Sequence, residues 1–267
     1  MLDEVIKVTT TKKPTDNQLL KVNDITVKLD LSYVERNNDS ISKMLDRGDC
    51  DYFLVVKKDT LVLTDGFSEL FWHPNMALLK IKAMQKGEID PIINAMDLQI
   101  GNSILDCTLG FAADALVVSS YIGESGRVIG TEANKYIAYL TETGLKDYHV
   151  EDEELKSAMK RIEVINVNYN DYLKSLSDNS FDVVYFDPMF KAPNKKSPFM
   201  NSLRPFAEHS YLTLEIIKEA LRVARKRVVA KDRMFSKELE KLGFTEFYGG
   251  GARGSTKYGA IIKSNNK

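Results

Sequence analysis

The stretch "SILDCTLGFAADALVVSSYIGESGRVIGTE", residues 103–132, changes pattern three times, and its reading sets the fold. SILDC (103–107) is a short apolar run of the strand type. AADALVVSSYIG (112–123) is long enough for a helix, and RVIGTE (127–132) reads as a strand again. A strand, a tight turn, a helix and a second strand in so few residues form the repeating unit of a doubly wound α/β sheet.

The alternation continues outward from this unit. A helix is expected at about 134–145, strands at RIEVINV (161–167) and FDVVYFD (181–187), an amphipathic helix at LTLEIIKEALRVA (212–224) and a strand at RVVAKD (227–232). TEFYGG and KYGAIIKS follow with no room for a helix between them, which predicts an antiparallel hairpin on an otherwise parallel sheet. The expected fold is therefore α/β, a Rossmann-like doubly wound sheet of about seven strands with an antiparallel last strand. Upstream, residues 1–75 read as a small α/β region: VIKVTT, ITVKLDLSYV and YFLVVKKDTLVLT as strands, DSISKMLDRG as a short helix. Residues 76–100 supply a helical lead-in to a domain spanning 76–267.

Composition narrows the class. With 43% apolar and 28% charged residues the chain reads as an ordinary globular protein. The start, MLDEVIKVTTTKK, lacks a cationic segment followed by an apolar run, and no stretch approaches the roughly 20 apolar residues of a membrane span. A cytoplasmic protein is expected. Cys50 and Cys107 form neither a disulfide framework nor a metal-ligand spacing. The formal net charge of −1 conceals an asymmetry: residues 101–190 carry −8 and residues 191–267 carry +10. A cationic rim beside a pocket suits a polyanionic partner such as nucleic acid, and a solvated helix end in ALRVARKRVVAKDR is the competing explanation.

The strand tips carry the chemistry. LDCTLGFAAD (105–114) lays a turn with Gly110 between strand and helix, the geometry that presents backbone N–H groups to a cofactor. The G-x-G-x-x-G spacing that a pyrophosphate requires is missing, and Asp106 and Asp114 put negative charge where phosphates would sit. Both features disfavour a dinucleotide and favour a cationic, phosphate-free adenosine cofactor, S-adenosylmethionine. Glu132, 26 residues beyond Asp106, ends the second strand and suits the two hydroxyls of a ribose. Asp171, in NVNYND, suits an adenine amino group. FDVVYFDPMF (181–190) then ends a buried strand on Asp187, Pro188, Met189 and Phe190. Proline stops strands and Asp-Pro opens turns, which is one explanation. The other is a methyl-acceptor site. Asp187 and the Pro188 carbonyl would accept hydrogen bonds from an aromatic amino group, and Phe190 would stack on its ring.

These motifs resemble the class I S-adenosylmethionine-dependent methyltransferases, whose N-methylating members carry D/N/S-P-P-Y/F after the fourth strand. LDCTLGFAADALV, FDVVYFDPMF and the downstream KKS are more similar to the bacterial small-subunit ribosomal RNA guanine-N2 methyltransferase family, over roughly residues 100–235. The resemblance implies Asp106, Thr108, Gly110 and Asp114 in the cofactor loop, with Glu132 and Asp171 at ribose and adenine. It implies Asp187, Pro188 and Phe190 at the acceptor, and Lys195, Lys196, Ser197 and Arg204 in a loop over the substrate. It also implies a metal-free N-methyltransferase with ribosomal RNA as partner. Met189 replaces the second proline, as in the closer family, while Phe111-Ala112 stands where that family tends to have a second glycine. A methyltransferase of a protein or small molecule, and a non-catalytic RNA-binding relative, are the alternatives. Cys50, Cys107 and His73 read as packing residues, and Lys231 as either a substrate contact or a solvated lysine.

Overall fold

The computed structural model describes residues 4–188, 206, 211–250 and 255–264. The chain divides into two compact units, Met1–His73 with Asn194–Phe206, and Pro74–Pro193 with Ala207–Lys267.

In the first unit, β1 (Ile6–Thr10), β2 (Tyr52–Val56), β3 (Leu61–Thr64) and β4 (Glu69–Leu70) form a four-stranded sheet in that order. β1 and β2 are parallel, and the remaining pairs are antiparallel. The connection from β1 to β2 carries α1 (Asp16–Leu29) and α2 (Ile41–Leu45). Here the sequence expectation fails, because ITVKLDLSYV begins inside α1 rather than forming a strand. Its β-branched residues favour a strand locally. The helix prevails because Thr15 and Gln18 make a capping box, and Gln18, Val22, Ile25 and Leu29 bury one helical face. YFLVVKKDTLVLT likewise resolves into two strands, closed by a hydrogen bond from Lys57 N to Thr60 O of 3.0 Å. Met44, Cys50, Phe53 and Val55 form one of its apolar clusters, and Phe206 meets the Tyr52 ring edge-on at 5.0 Å.

The second unit begins with α3 (Asn75–Gln85) and α4 (Pro91–Met96). Then come β5 (Ser103–Asp106), α5 (Ala113–Ile122), β6 (Arg127–Glu132), α6 (Lys135–Asp147), α7 (Glu153–Lys160) and β7 (Ile162–Asn166). α8 (Tyr169–Ser175), β8 (Phe181–Phe186), α9 (Leu214–Val223) and β9 (Ala224–Arg233) follow. α10 (Glu238–Lys241), β10 (Glu246–Gly249) and β11 (Thr256–Ile262) close the fold. The sheet order is β10-β11-β9-β8-β5-β6-β7. The strands from β7 to β9 are parallel, while β11 runs antiparallel to both β9 and β10. The expected Rossmann-like sheet and its hairpin are thus present, with the last strand inserted between β9 and β10.

Two features position the site. α5 is apolar on nearly every side because it lies between the sheet and α3, α4 and α7, so its whole surface finds partners. The order reverses at β5, whose neighbours are β6 and β8. That reversal opens a crevice at the carboxyl ends of these strands. No described helix is long and apolar enough to cross a membrane.

Candidate functional site

β5 and β6 end on Asp106 and Glu132, and Asp187 directly follows β8, so the parallel register delivers three carboxyl groups to one edge of the sheet. Asp106 is 3% exposed and accepts a hydrogen bond from Thr108 N at 3.0 Å. Burial raises its pKa to about 8, with the carboxylates of Asp114 and Asp187 adding to the rise against Thr108 N–H and Lys231. Thr108 also accepts a hydrogen bond at Oγ1 from Asp187 N, tying the turn after β5 to the tip of β8.

The turn itself is keyed into β6. Leu109 occupies the space above Gly130, where an added Cβ would lie 2.4 Å from Leu109 Cδ1. Leu109 N bonds Thr131 O at 3.0 Å, and Thr131 Oγ1 donates to Cys107 O at 3.0 Å. Gly110 has φ +52°, and a Cβ there would meet only Thr108 O, at 4.0 Å, so this face of the turn is open. Gly110 N donates to Glu132 Oε2 at 3.1 Å, while Glu132 Oε1 accepts from Asn134 N at 2.9 Å. Asp171 is exposed in the first turn of α8, one strand beyond Glu132 at the same edge.

Asp114 sits differently from its sequence assignment to the cofactor turn. Its side chain is 9% exposed, and it accepts from Lys80 Nζ at 3.0 Å, Lys231 Nζ at 2.8 Å and Tyr185 Oη at 2.8 Å. Burial alone would raise this carboxyl, but the two ammonium groups hold it well below the usual carboxylate range. Lys231 Nζ also binds Asp187 Oδ2 at 2.8 Å. It is not a freely solvated lysine, because it ion-pairs both Asp114 and Asp187. Burial raises the Asp187 carboxyl, and Lys231 opposes that rise. The Asp187 side chain nevertheless keeps 33% of its exposure, so it remains within reach of a ligand.

Lys80, Tyr185 and the double pairing of Lys231 are the members that sequence reading missed. Phe190, Lys195, Lys196, Ser197 and Arg204 lie outside the described residues. In the basic run ALRVARKRVVAKDR, Arg225, Lys226 and Arg233 are exposed, while several of its guanidinium groups also hold the fold together. Arg222 binds Leu173 O, Leu176 O and Asp178; Arg225 binds Asp182; Arg227 binds Ala95 O and Asp97. Among the described residues no group of three or more metal-ligating side chains occurs.

Residues 43–244 match the family model described as "Putative SAM-dependent methyltransferase". The chain is 38% identical over 237 residues to "Uncharacterized protein YpiP" of Bacillus subtilis (strain 168), covering 89% of this chain and 92% of that one. It is 28% identical over 159 residues to the ribosomal RNA small subunit methyltransferase J of Shewanella amazonensis, covering 58% of this chain and 62% of that protein. The match thus spans about three fifths of that relative's length. A SAM-dependent methyltransferase from Neisseria gonorrhoeae has a similar fold, with TM-score 0.63 and 18% identity, over 98% of this chain and 97% of that one. S-adenosylmethionine, the cofactor of this family, fits the residues present. It carries positive charge and no phosphate, and the crevice offers the half-buried Glu132 carboxylate and the buried carboxyl of Asp106 beside the open face of Gly110. The chain belongs to the S-adenosylmethionine-dependent methyltransferase family.

Proposed function

We propose that the enzyme methylates an exocyclic amino group of an RNA base, with guanine N2 of small-subunit ribosomal RNA as the acceptor and the cytoplasm as the place of action. The observation that carries this reading is the Asp187-Pro188 tip of β8, held by Lys231 at Oδ2 and by Thr108 at the backbone. Among the described residues, that pairing leaves Asp187 Oδ1 and the Pro188 carbonyl for an acceptor's N–H groups. An amino group conjugated to an aromatic ring is a poor nucleophile because its lone pair is delocalised. Two acceptors that orient both N–H bonds direct the lone pair out of conjugation and stabilise the positive charge that develops on nitrogen. When bound, S-adenosylmethionine supplies the electrophilic methyl group. Asp106, Thr108, Gly110, Glu132 and Asp171 would hold it. Phe190 would stack on the base, with Lys195, Lys196, Ser197 and Arg204 contacting the RNA. The base must be unpaired or flipped out, at a cost of a few kcal/mol.

The internal use of Arg222, Arg225 and Arg227 favours a second reading, a smaller or less charged acceptor served by the same site. Transfer of labelled methyl to free ribosomal RNA, intact small subunits and total protein, all from cells lacking this gene, separates the two. Label in RNA that disappears with Asp187→Ala is the expected result, with kcat reduced about 10²–10³-fold or more. Label in protein, or in no fraction despite tight cofactor binding, would overturn the RNA reading.

A further inference from the structure

α3 lies outside the sheet, yet one of its side chains belongs to the charge cluster at the carboxyl edge. Lys80 Nζ reaches Asp114 Oδ1 at 3.0 Å and Asp90 Oδ2 at 3.4 Å. At its other oxygen Asp114 accepts from Lys231 Nζ and from Tyr185 Oη, both at 2.8 Å. The same Lys231 Nζ reaches Asp187 Oδ2 at 2.8 Å. α3, α5, β9 and the tip of β8 are thereby joined in one row of alternating charge, Lys80–Asp114–Lys231–Asp187.

The balance of charge along this row decides the state of its last member. Lys231 is divided between two carboxylates, and Asp114 with no other cation would draw it away from Asp187. Lys80 gives Asp114 a second ammonium, so two cations face two carboxylates. The remaining titratable groups around the row add little charge. Asp106, raised to about 8 by burial, is largely protonated at neutral pH. Burial pushes the hydroxyls of Tyr185 and Tyr258 upward, so both stay neutral, and Tyr258 stands across from Lys231 on β11. Asp90 beside Lys80 also caps α4, accepting from Ile92 N at 3.0 Å. Burial raises the Asp187 carboxyl, Lys231 and Lys80 pull it down, and Asp114 pushes it up. Its ionisation matters because Lys231 occupies Oδ2. A proton on Asp187 would sit on Oδ1 and turn the oxygen that serves an amino group from acceptor into donor.

We propose that Lys80 is a positioning residue for the acceptor site: by neutralising Asp114 it leaves Lys231 to Asp187, and so keeps the Asp187 carboxylate a hydrogen-bond acceptor. The proposal rests on the reading of Asp187 as the group that receives the amino N–H, and it gives the helical lead-in a part in the reaction. A lysine that only braced α3 against α5 would leave the ionisation of Asp187 untouched. The charge balance instead demands opposite effects from the two ends of one ion pair, because losing Lys80 adds a net negative charge to the row and losing the Asp114 carboxylate removes one.

Carbon-13 NMR of labelled aspartate carboxyls in the full chain, with the Asp187 signal identified by its loss in Asp187→Asn, follows that ionisation without any substrate. Lys80→Met should raise the Asp187 midpoint by about 1 pH unit, and Asp114→Asn should lower it by about as much. The double variant, with its charges balanced again, should return the midpoint close to the wild-type value. Tyr185→Phe takes one uncharged donor from Asp114 and should raise the midpoint less, so a mild change decides the matter if a charge change unfolds the chain. In labelled methyl transfer to small subunits from cells lacking this gene, the acid limb of kcat should follow the midpoint in each variant, and Lys80→Arg should restore it. An unmoved midpoint, shifts of the same sign in Lys80→Met and Asp114→Asn, or an acid limb that ignores the midpoint overturns the role of Lys80 even if RNA is labelled. Opposite shifts of the midpoint without any labelled RNA would instead sink the ribosomal RNA reading and leave the control of Asp187 by Lys80 standing.

Discussion

The two ends of β8 carry the same residue type in opposite circumstances. At the amino-terminal end, Asp182 accepts from Ser103 N at 2.8 Å, Ser103 Oγ at 3.0 Å and Arg225 Nε at 3.1 Å. Against the upward push of burial, these donors hold its pKa down to about 2. At the carboxyl-terminal end, Asp114 and Asp187 hold the ammonium groups of Lys80 and Lys231, and Asp106, buried beside these carboxylates, is raised to about 8. Donors outnumber acceptors at one edge of the sheet and acceptors crowd the other. The satisfied edge stabilises the fold, while the crowded edge holds carboxyl groups that outnumber the ammonium groups beside them.

The sharpest way to break this contrast is Lys231→Met, which removes the cation shared by Asp114 and Asp187. Breaking a buried pair by deleting one partner costs about 3–5 kcal/mol, and a urea titration should show a loss of that order together with loss of methyl transfer. Asp106 comes next. Its folded pKa of about 8 lies above the ordinary carboxylate value of 3.8, so the folded chain binds a proton that the unfolded chain has released between those values. Stability of the cofactor-free protein should therefore fall as pH rises from about 4 to 8, by up to about 1.4 kcal/mol per pH unit. Asp106→Asn should flatten that slope in thermal melts. If the slope is unchanged in the variant, the crowding is not felt at Asp106. Asp182→Asn should give the smallest effect, about 1–3 kcal/mol of stability with kcat and KM unchanged. The wild-type contribution from Asp182 has the opposite pH sign to that of Asp106. It is present above about 4 and is lost as pH falls toward 2. A catalytic defect in Asp182→Asn would erase the distinction between the two edges.

The sheet of the second unit was legible because each strand and helix announces itself locally, and the tip of a strand is fixed once the strand is found. Asp106, Glu132 and Asp187 follow from that alone. The lysine network was not legible, since Asp114 meets partners 34 and 117 residues away in Lys80 and Lys231. Only the packed sheet brings them together. The misread segment ITVKLDLSYV fails for the converse reason. Its own residues favour a strand, and the decision is made upstream by the cap at Thr15 and Gln18. Short range served where local pattern and fold agree, and it failed where a distant charge or an earlier cap decides.

Leu109 seated over Gly130 has a mechanical consequence. The turn after β5 cannot shift without pressing on β6, and two residues along β6 stands Glu132, which is itself bonded to Gly110 N. Turn and strand tip move as one body. A cofactor held by both ends of such a body finds its contacts already spaced, and its binding loses less conformational freedom than it would to a turn that had to be ordered first.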